Sequence, residues 1–408
     1  MRRLSQRLNV DRTLWTQHLV FVAVAAFMQR FGQGLLDGTR TNFFIDTLSL
    51  SGNQVLWLEG IREIPGILLI FIAALTMRLP LSYRTAASLV IAGIGYALYA
   101  FIQSYTALLV VAVIASLGLH MWMPLNSALA MSVSPKGRAG TAMGVLNGVG
   151  SLAAIVGMGA LALISWVGTQ IPLTVYYLVG GAFIAIAGLL ILRIPPTVGA
   201  TDEAPPRMLL KGRYWLYYVL TFAQGARKQV LNALGLLVLV DTFDLAVWQT
   251  SLILLASGVV NLVGAPYLGR LVDRLGERRM LTVSYTLLAV GCVGFATSPH
   301  VGLLILLLLM IRLFVTLDIA VDTYVYRFAP SEELTPTLTA GVSINHVTSV
   351  AMPLISGAVL PLIGYRGIFW GTAALILLTI PFALAIEVKR TPIGQSVPAV
   401  PAQPTPGG

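Results

Sequence analysis

The sequence predicts an all-α membrane protein whose twelve transmembrane helices form two pseudo-symmetric six-helix bundles. Three observations predict it. Hydrophobic residues make up 57% of the 408-residue chain and charged residues only 10%, with a mean hydropathy of +0.85, whereas a soluble domain carries about 25% charged residues. Twelve apolar runs approach or exceed the roughly 20 residues that cross a bilayer as a helix, and the ten-residue alternating segments of a membrane barrel are absent. Displacing the sequence by 195 residues also brings its first half onto its second.

The runs lie near 15 to 45, 54 to 77, 85 to 103, 106 to 131, 139 to 165, 173 to 192, 214 to 240, 247 to 269, 280 to 297, 301 to 327, 337 to 363 and 367 to 387. A polar, proline-bearing link from Thr197 to Arg213 separates the sixth from the seventh. The division is therefore a cytoplasmic N-terminus at 1–13, bundles at 14–193 and 214–388, a cytoplasmic linker at 194–213 and a disordered cytoplasmic tail at 389–408 rich in Pro, Ala and Gly. The 195-residue offset places Phe27 on Phe222, Gln29 on Gln224, Asp46-Thr47 on Asp241-Thr242, Gln54 on Gln249 and Pro135 on Pro330. After a slip of two or three residues, Gly144 meets Gly341 and Asn147 meets Asn345. The common offset carries more weight than the individual identities.

A net charge of +10 would suit a nucleic-acid partner, but its distribution excludes one. With both termini cytoplasmic, the inner segments hold Arg2, Arg3, Arg7, Arg12, Arg78, Arg84, Lys136, Arg138, Arg193, Arg207, Lys211, Arg213, Arg270, Arg274, Arg278, Arg279, Arg327, Lys389 and Arg390, and the outer loops hold only Arg366. Inner loops of membrane proteins carry this excess of Lys and Arg. Trp57, Trp166, Trp248 and Trp370 fall near outer ends and Trp15 and Trp215 near inner ends, as interfacial belts require, while Trp122 sits deeper. The first run is too long for a signal peptide and is expected to stay as a span. Cys292 is the single cysteine, so no intramolecular disulfide or metal–thiolate cluster can form. No metal site and no cofactor are expected.

Between runs eight and nine the chain reads GRLVDRLGERRML, from Gly269 to Leu281. Gly269 and Gly276 permit a tight turn, the arginines resist translocation, and Asp273 can meet a helix N-terminus or a cation. In Gly269, Asp273, Arg274, Gly276, Arg278 and Arg279 this resembles the cytoplasmic loop signature of the major facilitator superfamily of transporters, and Glu277 departs from it where a basic residue is usual. The equivalent loop of the first half, Met77 to Thr85, has Arg78 where the Asp would stand. Span five, with Gly144, Asn147, Gly148 and Gly150, lacks the Gly-Pro motif of many antiporters. The resemblance covers about residues 14 to 388 and implies parallel six-helix halves that rock about a central site.

Ionisable groups inside a bilayer cost several kcal/mol and normally face a cavity or a partner. Spans three, six, nine and twelve have no charged residue in their interiors, whereas one, two, four, seven, ten and eleven carry ionisable residues; the resemblance makes the uncharged set peripheral. Span midpoints fall near Arg30, His120, Arg227-Lys228 and Arg312, with His346 nearby, a basic layer, while Asp37, Glu59 and Glu63 lie toward the outside and Asp318 and Asp322 toward the inside. Arginine grips carboxylate or phosphate in a bidentate fork. The expected solute is therefore anionic or strongly polar, held by Arg30, Arg227 and Arg312, with His120 and His346 in the same layer and Gln29, Gln224 and Asn345 adding neutral hydrogen bonds. The other reading has these side chains pairing with backbone carbonyls or nearby acids to order the bundle. Arg227 and Lys228, about 100° apart on a helix, cannot share a direction; Arg227 is assigned to the cavity by its central position.

In span two Arg62 and Glu63 share the Glu59 face, and span one offers Asp37 and Arg40 at similar depth. A proton-linked outer gate and a static salt-bridge set both fit. His120 and His346 are either titrating groups or hydrogen-bonded bundle residues. Asp318 and Asp322 are expected to form an inner-gate ion pair with Arg327.

The expected function is a secondary transporter moving a small organic solute by alternating access, with proton coupling open. Multidrug or lipophilic-compound efflux is the alternative, for which Met121, Trp122 and Met123 supply soft apolar surface. A membrane-embedded enzyme would need a metal or nucleophile constellation that is absent; a non-transporting sensor on the same fold is a third reading. No Gly-four-residue-Gly-Lys-Ser/Thr loop is present to bind ATP. The expected setting is multi-pass in a plasma membrane, a cell inner membrane in a prokaryote, with solute, protons and lipid as partners and a monomeric state.

Overall fold

The computed structural model describes residues 14–135, 137–168, 171–199 and 210–387. The N-terminal segment, the tail and the middle of the linker lie outside the described residues, and with them Arg2, Arg3, Arg7, Arg12, Lys136, Arg207, Lys389 and Arg390. Regular structure among the described residues is helical throughout. A bilayer requires this, because only a helix or a closed barrel satisfies its own backbone where no water can.

Helix α1 (Gln17–Asn42) starts at Thr16, whose side chain accepts the Leu19 amide at 3.1 Å, and ends in a π turn at Phe43–Thr47. The second apolar run becomes two helices, α2 (Gly52–Ile61) and α3 (Ile64–Thr76). Pro65 breaks it, since proline has no N–H for the ladder and its ring crowds the preceding turn. The Gly66 amide bonds only to the Glu63 carbonyl, at 3.0 Å, and the Ser116 hydroxyl donates to the Arg62 carbonyl. This break sets Glu63 at the head of α3, which matters below.

Four unbroken helices complete the first half: α4 (Leu81–Leu98), α5 (Tyr105–Val133), α6 (Ala139–Trp166) and α7 (Leu173–Ile191). In the second, α8 (Trp215–Gln229) passes through a π turn at Val230–Leu234 into α9 (Gly235–Phe243), followed by α10 (Val247–Leu275) and α11 (Glu277–Thr297). A 3-10 turn at Val315–Asp318 separates α12 (Val301–Phe314) from α13 (Ile319–Tyr326), and α14 (Ser331–Leu384) is divided by Gly364 at φ 63°.

Nine helical stretches among the described residues are long and apolar enough to cross a membrane. The twelve expected runs map onto them with differences of continuity. Run two is split at Pro65, run seven is diluted by Gln224, Arg227, Lys228 and Asn232, and runs eleven and twelve join through Gly364. Gly276 forms the expected turn of the basic loop, at φ +83°. Gly269 does not share it, because α10 stays helical to Leu275.

Within the first half α1 packs on α6 and α7, and α4 on α5 and α7; in the second, α14 packs on α8 and α11. The Gly93 backbone lies directly against Gly181 and Ala185, the small-residue approach by which membrane helices associate. Across the halves α2 meets α14 and α6 meets α10. Asn42 Nδ2 donates to the Leu245 carbonyl at 2.8 Å, Thr250 Oγ1 to Asn42 Oδ1 at 2.9 Å, Ser251 Oγ to the Gly38 carbonyl at 3.3 Å, and Trp57 Nε1 to the Leu354 carbonyl at 3.2 Å. These bonds join the halves at the end expected to face outward. Toward the other end Gly144 and Gly148 on α6 face open space.

Candidate functional site

The two halves enclose adjoining chambers that share Met158, Gly258 and Asn261. The first, of about 400 Å³, is lined by Gln29 and Arg30 of α1, Trp122 and Asn126 of α5, Asn147 and Ser151 of α6, and Asn261 of α10. The second, of about 470 Å³, is lined by Asp37, Arg40, Glu59, Arg62, Glu63, Lys228, Asn232, Ser257 and Arg312. Helical spacing explains the neutral lining. Asn147 and Ser151, like Ser257 and Asn261, lie four residues apart and so share a face.

Arg30 enters the first chamber with its side chain along Gly150, where a Cβ would approach Arg30 Cγ at 3.1 Å. Gln29 Oε1, Asn126 Oδ1 and Asn261 Oδ1 are buried there without protein partners. Buried amide oxygens need hydrogen-bond donors, so this wall offers acceptors beside one guanidinium. In the second chamber Arg312 donates to the Asn232 carbonyl at 3.2 Å.

The cavity-lining charges divide by whether a carboxylate holds them. Arg62 Nε bonds Glu59 Oε2 at 2.7 Å and approaches Glu63 at 3.8 Å, and Arg40 lies 3.8 Å from Glu59 and 3.9 Å from Asp37. Asp37 also accepts from Gln33 at 3.0 Å. Among the described residues Arg30, Lys228 and Arg312 have no carboxylate within ion-pair distance. The cavity therefore presents three cations without bonded counterions.

Several sequence expectations need correcting. Arg227 does not face the cavity: it is 1% exposed, pairs with Asp318, and stacks on the Tyr285 ring at 4.4 Å. Lys228, about 100° around the helix, takes the cavity position instead. The acids are not set apart from the basic layer, since Asp37, Glu59 and Glu63 line one chamber with Lys228 and Arg312. His120 and His346 line neither chamber. The space left by Gly66 lets both rings converge on Glu63, each 3.5 Å from Oε2. Gln224 and Asn345 also lie off the chamber walls; Asn345 accepts from Ser349 at 3.3 Å, and its carbonyl packs on Gly225.

The expected inner ion pair of Asp318 and Asp322 with Arg327 is absent as well. Asp318 is taken by Arg227, and Asp322 accepts from the Tyr217 hydroxyl at 3.4 Å. Arg327 pairs at 2.5 Å with Glu277, which also accepts from Thr323 at 3.2 Å. Glu277 is buried, whereas Asp273, Arg274, Arg278 and Arg279 are exposed. The one departure from the loop signature is thus the residue that anchors the loop to α13.

Sequence reasoning missed Asn126, Ser151, Ser257 and Asn261 as cavity residues and noted Asn147 only in the repeat and in the span-five glycine run. Their four-residue spacing was the available signal. It is weak, because neutral polar residues are common in helix–helix seams.

No curated protein matches the sequence. Among solved structures, a mutant of the nucleoside transporter NupG aligns with a TM-score of 0.75 at 16% identity, covering 90% of this chain and 99% of that one. NupG itself gives 0.73 at 16%, covering 91% and 99%. A bacterial homolog of the human lysosomal transporter Spinster, inward-facing and occupied, gives 0.71 at 13%, covering 90% and 95%. At these identities the likeness concerns the fold. The Major Facilitator Superfamily description matches residues 22–226 and 217–406, nearly the whole chain. With two facing helical halves around a polar cavity, the chain belongs to the major facilitator superfamily and is a multi-pass membrane transporter of small solutes.

Proposed function

We propose that the transporter carries a small organic anion, or a strongly polar solute with an acidic group, across a plasma membrane with both termini cytoplasmic. The observation that carries this is the set of cavity cations without carboxylate partners, Arg30, Lys228 and Arg312. A guanidinium binds carboxylate or phosphate by paired, charge-assisted hydrogen bonds. The amides of Gln29, Asn126, Asn147 and Asn261 then select among anions by the donors those anions carry. With the expected topology, cross-half bonds close the outer end and the cavity opens inward, one limit of alternating access.

The test is thermal stabilisation of detergent-purified protein across organic anions, sugars, amino acids, lipophilic cations and neutral drugs, because selective binding to the native state raises apparent stability. Anions raise the melting temperature, and Arg30→Ala or Arg312→Ala removes the rise while leaving the unliganded protein folded. Trp122 and Met158 on the chamber wall support lipophilic-compound efflux as the second reading. Stabilisation by lipophilic cations or drugs with none by anions would establish it and end the anion reading.

Proton coupling is assigned to Asp37 and Glu59, whose charges are shared with Arg40 and Arg62 and faced by Glu63, by Tyr96 of α4 and by Tyr99 just beyond its end. A gate that opens must break these pairs, and a carboxylate left without its cation takes up a proton. Uptake into proteoliposomes by Glu59→Gln loses its dependence on a pH gradient. An unchanged dependence removes Glu59 from coupling and leaves the network as a fastening of α1 to α2.

A further inference from the structure

Glu63, His120 and His346 come from three elements and from both halves. Glu63 heads α3 at the proline break, His120 lies on α5 and His346 on α14. One ligand-capable atom of each lies within 4.8 Å of the other two. Both rings address the same oxygen, with His120 Nε2 and His346 Nδ1 each 3.5 Å from Glu63 Oε2. That is long for a hydrogen bond, which centres near about 2.9 Å. It is close to the roughly 3.3 Å separating neighbouring ligands of a tetrahedral Zn²⁺ whose bonds are about 2.0–2.1 Å.

The surroundings fit the same geometry. His120 Nδ1 bonds the Ser116 carbonyl at 2.9 Å, so the proton sits on Nδ1 and the Nε2 lone pair points at the centre, the outer-shell arrangement of metal-bound histidines. His346 Nδ1 is buried with no hydrogen-bond partner, and a buried polar atom without one calls for a ligand. The other oxygen of Glu63 faces Arg62 at 3.8 Å, and Arg62 is itself held by Glu59 at 2.7 Å. A Cβ at Gly66 would overlap the His346 ring, so glycine there keeps the centre open. Glu63 borders the second chamber, which gives an ion, and a water as fourth ligand, a route to the centre.

We propose that Glu63, His120 and His346 form a site for a transition-metal ion of the Zn²⁺ type, which fastens the two halves beside the second chamber. This replaces the expectation of no metal site. Two imidazoles with one carboxylate favour Zn²⁺ over Mg²⁺ and Ca²⁺, which take oxygen ligands. Glu63 and His120 belong to one half and His346 to the other, so an outward opening pulls His346 away. Bound Zn²⁺ therefore holds the inward-facing form and inhibits exchange.

Binding itself needs no solute; its effect on flux rests on the transport reading above. Untagged protein, whose remaining histidines are His18 and His300, is stripped with EDTA and titrated with ZnCl₂, MgCl₂ or CaCl₂ while thermal unfolding is followed. Support is one Zn²⁺ per chain, a melting-temperature rise with Zn²⁺ alone, and Zn²⁺ affinity more than about 100-fold weaker in His120→Gln and His346→Gln, beyond the loss for an outer-shell partner. If either variant is unstable, the zinc-edge X-ray absorption spectrum of the wild type must show two imidazoles and only nitrogen or oxygen ligands. Equal Zn²⁺ affinity in wild type and His346→Gln, or a spectrum without imidazole, overturns the site. Zinc binding by a protein that, stripped of zinc, moves no organic anion would leave the site and sink the anion reading; anion flux in a protein that binds no zinc would do the reverse.

Discussion

In the first half, Asp37, Arg40, Glu59, Arg62 and Glu63 pass charge along one wall of the cavity, each with more than one partner. In the second, Arg227 and Asp318 are closed off together beneath Tyr285, one cation on one carboxylate. The residue types are the same and the consequences differ. A chain of pairs beside water can lose a member and re-form with its neighbours. A sealed pair has no substitute, and breaking one leaves an uncompensated charge in a medium that cannot solvate it. The first arrangement suits a surface that rearranges during transport, and the second a joint that keeps α8, α11 and the α12–α13 turn together while the half moves as a body.

The largest effect is therefore expected at Asp318. Replacing it by Ala strands the Arg227 guanidinium, which is 1% exposed, and breaking a buried pair on one side costs about 3–5 kcal/mol. Asp318→Ala should lower the melting temperature sharply or abolish folded protein in detergent, and the double variant Arg227→Met/Asp318→Leu should recover most of the loss. If Asp318→Ala costs no more than Glu59→Ala, the distinction between sealed and shared charge fails.

Glu277 tests the intermediate case, since its carboxylate is buried while its partner Arg327 is half exposed. Glu277→Ala releases a cation that water can still reach, so the expected loss is about 1–2 kcal/mol. Chemical denaturation in detergent checks it. A cost equal to that of Asp318→Ala would mean that exposure of the partner does not govern these pairs.

This grading also marks what the sequence could disclose. The helices were legible because a bilayer forces apolar length and internally bonded backbone, and Pro65 and Gly276 marked a break and a turn by their own covalent chemistry. The direction of a side chain around its helix was not legible. Arg227 and Lys228 are adjacent in the chain, and only the packing of α8 against Tyr285 decides which is sealed and which faces the cavity. Depth was misjudged for a similar reason: a broken α12 carries Asp318 to Arg227, and a glycine at 66 lets two distant histidines meet on Glu63. Glu277 was visible as a departure from a signature, but its partner Arg327 lies just past the end of α13, far along the chain, and left no local trace.

The smallest effect is expected where the charges are wettest. Near the start of α14, Glu333 accepts from Lys211 Nζ at 2.8 Å, pairs with Arg213, and accepts from the Tyr214 hydroxyl at 2.8 Å. Lys211 first, then Arg213 and Tyr214, hold this carboxyl down at about 2, from an ordinary 4.5. Because the folded-state value is depressed, the contribution is complete above about pH 4.5 and fades as pH falls toward 2. Wild-type protein should lose a small part of its stability in that window, and Glu333→Gln should show a flatter acid limb there with little change at neutral pH. Added salt should shrink the difference, as screening does for exposed pairs. A salt-independent loss as large as that of Asp318→Ala would place Glu333 among the sealed pairs and break the ordering by exposure.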